Sequence, residues 1–214
     1  MTRPTWLVRI VILGVAGLYT LGLFVSGATL QPWINQSLAA LPVIGSLLLL
    51  LWDVLIWKIP FVQTLTKRPY IAGFWGVTYR PTAESHIPDG GNRGPIVGYL
   101  IIRQSYWSLS VRSYTAESKS DSRSVFWERR PGSDFETPAF IYENLPKESE
   151  SHRSTRHLGA NRLDPTCASP TEMEGTYFTD RYTKGDMAIE LINRTKGYGS
   201  FKAADDAARR VSVQ

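Results

Sequence analysis

Cysteine is almost absent from this chain, since Cys167 is the only one in 214 residues. A single thiol cannot form a disulfide within the chain, and it excludes a metal centre built from several cysteines. Charge is missing from one long stretch, because residues 10–52 contain no Asp, Glu, Lys or Arg. This stretch is about twice the roughly 20 apolar residues that one membrane crossing requires. The N-terminal third is therefore predicted to be a membrane module, residues 1–68.

Two transmembrane helices, at about residues 10–30 and 38–57, are the simplest interpretation of the uncharged stretch. The polar residues 31–37 between them contain Pro32, which is expected to break the helix, and Trp33, which suits a membrane interface. A cleaved signal peptide is the alternative for the first segment, because its start is positive and small residues follow its apolar run.

The basic residues that flank these segments predict their orientation. Arg3 and Arg9 precede the first segment, Lys58 and Lys67 follow the second, and the connecting loop is uncharged. By the positive-inside rule, both ends of the module face the cytoplasm. Asp53 lies near the end of the second segment and would be costly against lipid, so we expect it at a helix interface or among the headgroups.

The rest of the chain predicts an all-β domain over residues 69–197, followed by a tail or short helix at residues 198–214. Short alternating runs separated by turn residues indicate a compact antiparallel β-barrel, lipocalin-like, of about eight strands. The candidate strands are residues 73–79, 98–114, 123–129, 139–144, 156–163, 173–182 and 186–193. The second is long for one strand, so we expect it to bend or bulge near residues 105–108.

The segment EGTYFTDRYTKG (174–185) has two chemically different faces. Read with a period of two, they are Tyr177, Thr179, Arg181 and Thr183 on one face, and Phe178 and Tyr182 on the other. A hairpin turn is predicted at residues 184–185. The first face suggests a polar end to the barrel interior. For Arg181, a surface salt bridge and a role in ligand binding are both open.

Catalytic and metal-binding signatures are missing from the sequence. There is no G-x-S-x-G elbow, H-E-x-x-H motif or phosphate-binding P-loop, and Ser154 near His157 lacks an evident third partner. His86, His152 and His157 do not have the spacing of metal ligands. No RNP-like run accompanies the aromatic residues. We therefore expect neither an enzyme, a metal site, a cofactor nor a nucleic-acid partner.

Several segments in order resemble one known family. They are IAGFWGVTY after the two apolar segments, LIIRQSYWSLSV with TAESKSDSRS, FIYENLP, STRHLGANRL and EGTYFTDRYTKG. Together they resemble the CD-NTase-associated protein 15 family, the two-span β-barrel effectors of CBASS antiphage defence. The resemblance implies an inner-membrane protein with a cytosolic barrel that senses a cyclic dinucleotide made by a partner synthase, a CD-NTase. It further implies that the protein oligomerises and disrupts the bilayer, which causes cell death.

The same resemblance suggests a set of ligand-binding residues. The polar positions that match the family pattern are Gln104, Ser118, Ser120, Tyr142, Asn144, His157, Tyr177, Thr179 and Arg181. Two other functions stay open from the sequence. A membrane-anchored carrier of a small hydrophobic ligand would have an apolar cavity, and a structural membrane adaptor would have a barrel filled with side chains.

Overall fold

The computed structural model describes residues 5–25, 32–87, 89, 91–150, 154–194 and 198–212. Some predicted features fall outside these ranges. Arg3, His152, the end of the first apolar segment with Gln31, and the predicted domain boundary at residue 197 all lie outside the described residues.

The N-terminal region is helical. α1 (Thr5–Val25) and α2 (Pro32–Val54) are followed by a 3-10 turn (Ile56–Lys58) and α3 (Pro60–Thr66). The prediction of a loop at residues 31–37 is wrong from Pro32 onward, because α2 begins there. Proline is well tolerated at the first helical position, where its missing N–H would have no partner.

A membrane-spanning helix must be both long and apolar. None of the described helices is by itself both long and apolar enough to cross a membrane. Two consecutive segments, Ile44–Lys58 and Pro60–Thr66, meet the requirement only as a pair bent by 99°. The two transmembrane helices therefore remain a prediction.

The remainder of the described chain forms a closed barrel of eight antiparallel strands. Each strand pairs with the next along the chain, and the last pairs with the first. The all-β, antiparallel barrel predicted from the sequence is confirmed. The strands are β1 (Gly73–Pro81), β2 (Ile96–Gln104), β3 (Leu109–Thr115), β4 (Ser118–Glu128), β5 (Thr137–Pro146), β6 (His157–Pro165), β7 (Glu172–Thr179) and β8 (Lys184–Asn193).

The prediction of one long, bent strand at residues 98–114 is wrong. The chain reverses at residues 105–108, and β2 then pairs with β3 from Gln104↔Leu109 to Gly98↔Thr115. The N–H of Ser105 donates to the carbonyl of Ser108 at 2.9 Å, and the two hydroxyls lie 2.8 Å apart. Serine side chains satisfy a tight turn in this way, which hydrophobic periodicity alone does not reveal.

The hairpin turn predicted at residues 184–185 lies earlier in the chain. Lys184 belongs to β8, and the turn occupies residues 180–183. The hydroxyl of Thr179 accepts the N–H groups of Arg181 at 3.3 Å and Thr183 at 3.2 Å. Tyr182 takes the left-handed conformation, with φ of 62°. A threonine side chain thus organises the turn, and the Lys-Gly pair from which the turn was predicted lies in β8.

The barrel interior is packed with apolar side chains along most of its length. Strand alternation holds as predicted, with Val111 and Ile189 inside and Arg112 outside. Full burial of one such side chain stabilises the fold by about 1.5–3 kcal/mol. The largest fully buried side chains of this core are Trp75, Ile71, Leu100, Ile102, Leu163, Met187 and Ile189.

The C-terminal segment is a helix, α4 (Phe201–Ser212), which packs on the outside of the barrel. Ala204 and Ala207 lie against an outer apolar cluster formed by β1, β2 and β3. The hydroxyl of Tyr99 donates to Asp205 at 2.7 Å, which fixes the helix on the wall.

Up-and-down connectivity gives the barrel two different ends. The floor is the end with the β2–β3 turn, and the mouth is the end with the β1–β2, β3–β4, β5–β6 and β7–β8 connections. The end of α2 attaches to the floor, because the carboxylate of Asp53 accepts the N–H of Trp107 at 3.1 Å and its carbonyl accepts the N–H of Tyr106 at 3.1 Å. Asp53 therefore joins a helix to the barrel.

Candidate ligand site at the mouth of the barrel

A cavity of about 370 Å³ opens at the mouth. Its size lies in the range of pockets that hold small organic ligands. Strands β1 to β7 and the connections at this end contribute its walls. Eight of the nine residues proposed from the sequence line it: Ser118, Ser120, Tyr142, Asn144, His157, Tyr177, Thr179 and Arg181.

Gln104 is the residue that the structure does not bring to this cavity. It ends β2 at the floor and is only 8% exposed. Its amide oxygen accepts the N–H of Ile71 at 2.8 Å, and its amide nitrogen donates to the carbonyl of Pro69 at 2.8 Å. The side chain is therefore occupied in fastening the chain to the floor, at the opposite end from the other eight residues.

Arg181 supplies the positive charge of the site from the β7–β8 turn. Its Nη1 donates to the hydroxyl of Ser154 at 3.1 Å. Its buried Nε has no hydrogen-bond partner within the described chain, and no carboxylate there forms an ion pair with it. A guanidinium in this state retains donors for an anion, and charge-assisted bonds to phosphate are among the stronger hydrogen bonds.

A row of polar side chains crosses three adjacent strands beside this arginine. Ser120, Asn144 and His157 are register partners on β4, β5 and β6. The hydroxyl of Ser120 donates to the amide oxygen of Asn144 at 2.8 Å. Strand β4 begins at Ser118 rather than near residue 123, so its polar start forms wall instead of loop.

The tautomer of His157 follows from its contacts. Nδ1 lies 2.9 Å from the carbonyl of Thr155 and 3.5 Å from the amide nitrogen of Asn144. The shorter contact is the stronger one, so Nδ1 carries the proton and Nε2 is left as an acceptor. Burial lowers the pKa of His157, and the charge of Arg181 lowers it further. The imidazole is therefore neutral near pH 7.

Three tyrosines form the aromatic part of the cavity. The rings of Tyr79 and Tyr177 meet edge to face at 5.5 Å, and the hydroxyl of Tyr79 lies 2.9 Å from that of Ser113. Burial raises the pKa of Tyr79 and of Tyr177 to about 12, and it also raises that of Tyr142. All three phenols stay neutral and do not repel an anion.

The position of Tyr142 depends on a glycine opposite it. A Cβ added at Gly159 would lie 2.3 Å from the ring of Tyr142, its cross-strand partner. A larger residue there would force the ring to move. Gly159 therefore gives the aromatic ring its place against the wall.

A comparison with protein-family models agrees with this arrangement. The model described as Cap15, cyclic dinucleotide receptor domain, matches residues 66–191, which is more than half of the chain. The chain belongs to the Cap15 family. This confirms the resemblance to CD-NTase-associated protein 15, and residues 66–191 form a cyclic dinucleotide receptor domain. No curated protein matches the chain.

Asn161 is a buried polar residue of this receptor domain that was not predicted from the sequence. Asn161 lines the cavity and is only 5% exposed, yet its buried amide oxygen accepts no hydrogen bond from any described residue. An unsatisfied buried polar group costs about 1–3 kcal/mol, so a ligand partner is the natural explanation. The alternation of β6, with residues 157, 159 and 161 inward, was the signal that could have found it. The other lining residues that were not proposed include Tyr79, Ser113, Phe140 and Ser154.

Proposed function

We propose that this protein is a CBASS effector whose barrel mouth binds a cyclic dinucleotide made by a partner CD-NTase. Binding makes the protein oligomerise, and the oligomer disrupts the inner membrane and kills the infected cell. The observation that carries the proposal is the half-buried guanidinium of Arg181, with an unpartnered Nε, in the cavity of a receptor domain of this family.

Each part of a cyclic dinucleotide has a matching group in the cavity. Arg181 contacts a phosphodiester through charge-assisted hydrogen bonds. Ser120, Asn144 and His157 bind polar edges of the sugars or bases. The neutral tyrosines provide faces on which bases stack. A carrier of hydrophobic molecules would have no use for these polar groups, and a structural adaptor would have no use for the cavity.

Binding must favour one state of the protein over another if it is to affect the membrane. The cavity opens at the mouth, whereas α2 joins the barrel at the floor. Association of several copies brings their apolar helices together. Binding at the mouth can therefore act on the helices at the floor without a deformation of the barrel. The flanking basic residues support a two-pass protein of the inner membrane with its ends and barrel in the cytoplasm. No catalytic step is required.

The direct test is calorimetric titration of the full-length protein in detergent, with light scattering to follow its mass. The probes are 3′,3′-linked cyclic dinucleotides that combine adenine, guanine and uracil in every pair. One probe should bind tightly and increase the mass, and Arg181→Ala should weaken its binding by about 10- to 100-fold.

Arg112→Ala is the matched control for this test. Arg112 is exposed on the outer wall and paired with Asp121 at 2.5 Å, so its loss should leave the affinity unchanged. Unchanged binding by a folded Arg181→Ala variant would remove Arg181 from the site. The absence of heat with every probe would contradict the proposed function.

A further inference from the structure

An exposed apolar patch lies on the outer wall near the mouth, and we call it the wall patch. Ile141, Ala160 and Phe178 are register partners on β5, β6 and β7, so their side chains form one continuous row. Leu158 extends the row on β6, and Tyr182 projects from the adjacent turn. The exposed fractions are 50% for Leu158, 63% for Phe178 and 81% for Tyr182. Contiguous exposed apolar side chains commonly mark an interaction surface.

The opposite part of the outer wall shows how this barrel treats apolar surface. There, Phe74, Tyr99, Ile101 and Tyr114 are covered by α4. No described element of the chain covers the wall patch in the same way. The closed barrel also has no free strand edge. A partner must therefore dock on side chains of the wall rather than extend the sheet.

The wall patch is the back of the candidate ligand site. Successive residues of a strand point to opposite faces, so cavity residues and patch residues alternate along the same segments. His157 precedes Leu158, Phe178 lies between Tyr177 and Thr179, and Arg181 precedes Tyr182. A molecule that holds the inner side chains in place also holds the outer ones, because both sets share one backbone.

Charges of opposite sign flank the wall patch. On the β4–β6 side, the exposed Arg123 and Arg156 share the carboxylate of Glu143, which leaves a net positive charge. On the β7–β8 side, Lys184 opposes Phe178, and an ion pair with Glu84 neutralises its charge. Beyond this pair, four carboxylates face outward, and none of them forms an ion pair with another described residue. Two of these oppose each other directly across the strands, which is unfavourable without a positive partner. The outward carboxylates are Glu172, Glu174, Asp186 and Glu190.

We infer that the wall patch docks against the wall patch of a second copy of this chain, around a two-fold axis parallel to the barrel axis. Rotation by 180° about this axis places the positive side of one copy against the negative side of the other, at both edges of the contact. It also leaves both floors facing the same way. The apolar helices of both copies then lie on the same side, as one membrane demands.

The role of the nucleotide as the trigger for this contact rests on the proposed function, but the contact can be tested separately. Light scattering measures the association of the full-length protein in detergent, with and without the panel of cyclic dinucleotides. The wild type is compared with Phe178→Ser and with Tyr182→Ser. At protein concentrations too low for association, both variants should bind the probe with the wild-type affinity, since neither side chain lines the cavity. Their association should weaken at least tenfold.

Phe126→Ser is the matched control, because Phe126 is an exposed aromatic residue on the same outer surface but lies beyond the row defined above. It should associate as the wild type does. Wild-type association by Phe178→Ser and Tyr182→Ser would overturn the inference. A second pair of results would also overturn it: the wild type binds a probe but stays monomeric, and Phe178→Ser loses its binding to lipid vesicles. The wall patch would then contact lipid.

The two-fold arrangement has its own test, a reversal of charge on each side. Glu174→Lys with Glu190→Lys removes the net negative charge of the β7–β8 flank, and Arg123→Glu with Arg156→Glu makes both flanks negative. Each double variant alone should associate poorly, and a mixture of the two should recover association. A mixture no better than its components would overturn the arrangement. If no probe binds even the wild type, association that Phe178→Ser abolishes still supports the contact, and a chain that never associates overturns it.

Discussion

The floor and the mouth of the barrel use similar residues in opposite ways. At the floor, aromatic and charged side chains pack against one another and against the end of α2. Trp57 is fully buried, its indole N–H donates to the carbonyl of Asp53 at 2.9 Å, and Arg68 stacks 4.0 Å from the ring of Trp127. At the mouth, Arg181 keeps a donor without a partner and an open cavity adjoins it. Side chains at the floor contact the end of α2, whereas Arg181 at the mouth retains a hydrogen-bond donor for a ligand.

Two buried carboxamides make this comparison quantitative. Gln104 at the floor makes two hydrogen bonds of 2.8 Å each, whereas Asn161 in the cavity makes none to the described residues. Both side chains are more than nine-tenths buried. The same chemical group thus stabilises the fold at one end and is left unsatisfied at the other. Residues of the first kind should affect stability, and residues of the second kind should affect affinity.

The largest expected effect is on the packed core. Trp75 is fully buried, and its indole N–H donates to the carbonyl of Ile71 at 2.9 Å. Trp75→Ala should lower the free energy of unfolding by about 3–5 kcal/mol, because it leaves a large cavity. Urea denaturation of the full chain in detergent measures this. Phe126→Ala, at an exposed aromatic residue, should change stability little, and equal losses would contradict the burial of Trp75.

Gln104→Leu should have the next largest effect on stability. The substitution leaves the N–H of Ile71 and the carbonyl of Pro69 without partners, at a cost of about 1–3 kcal/mol. The same denaturation experiment measures it, and calorimetry should find ligand affinity unchanged. A folded Gln104→Leu variant with lost affinity would show that the floor takes part in binding after all.

Asn161→Leu should show the opposite pattern. Removing an unsatisfied amide should leave the unliganded protein at least as stable as the wild type. Loss of one neutral hydrogen bond should weaken binding of the cyclic dinucleotide by about two- to tenfold. Comparison with Gln104→Leu in both assays sharpens the contrast between the two ends. A destabilised Asn161→Leu with normal affinity would assign the amide to the fold.

The smallest effect concerns the pH dependence of binding. Burial holds the pKa of His157 below its ordinary value of about 6.5, and a bound phosphodiester favours the imidazolium and raises that pKa. The complex then carries more protons than the free protein in the window between the two pKa values. Affinity should therefore rise a few-fold as the pH falls from 7.5 to 5.5, with proton uptake on binding.

Calorimetry in buffers of different ionisation heat measures this uptake. His157→Gln should remove it, while the unliganded wild type should lose stability as the pH falls below about 6.5, because the unfolded state binds the additional proton. Proton release on binding, or uptake that persists in His157→Gln, would exclude His157 as the titrating group.

Sequence patterns predicted the strands more reliably than the turns. Alternation identified most strands of the barrel, including the inward row of Tyr177, Thr179 and Arg181. The turns at residues 105–108 and 180–183 were missed, because single Ser and Thr hydroxyls organise them through bonds that periodicity does not encode. The sequence left a tail and a short helix as alternatives for the segment that forms α4, because its helix is held by contacts with the barrel wall that it covers.

The candidate site was predicted only in part, because some of its determinants are local and others depend on the turns. Polarity and strand face can be read locally, and the resemblance to a known family added further polar positions. Eight of the nine residues proposed in this way line the cavity. The end of the barrel at which a residue lies depends on where the chain reverses. The missed turn at residues 105–108 hid the fact that Gln104 ends its strand at the floor.

The sequence by itself determined the apolar N-terminal region, the antiparallel strands and the alternation that turns Arg181 inward and Phe178 outward, because each depends on neighbouring residues in the chain. Only the tertiary structure decided which side chains meet. Barrel closure and strand register bring Ser120, Asn144 and His157 into one row from distant segments. The same register leaves the amide oxygen of Asn161 buried without a partner among the described residues, because contacts across a sheet depend on strand pairing that no single strand specifies.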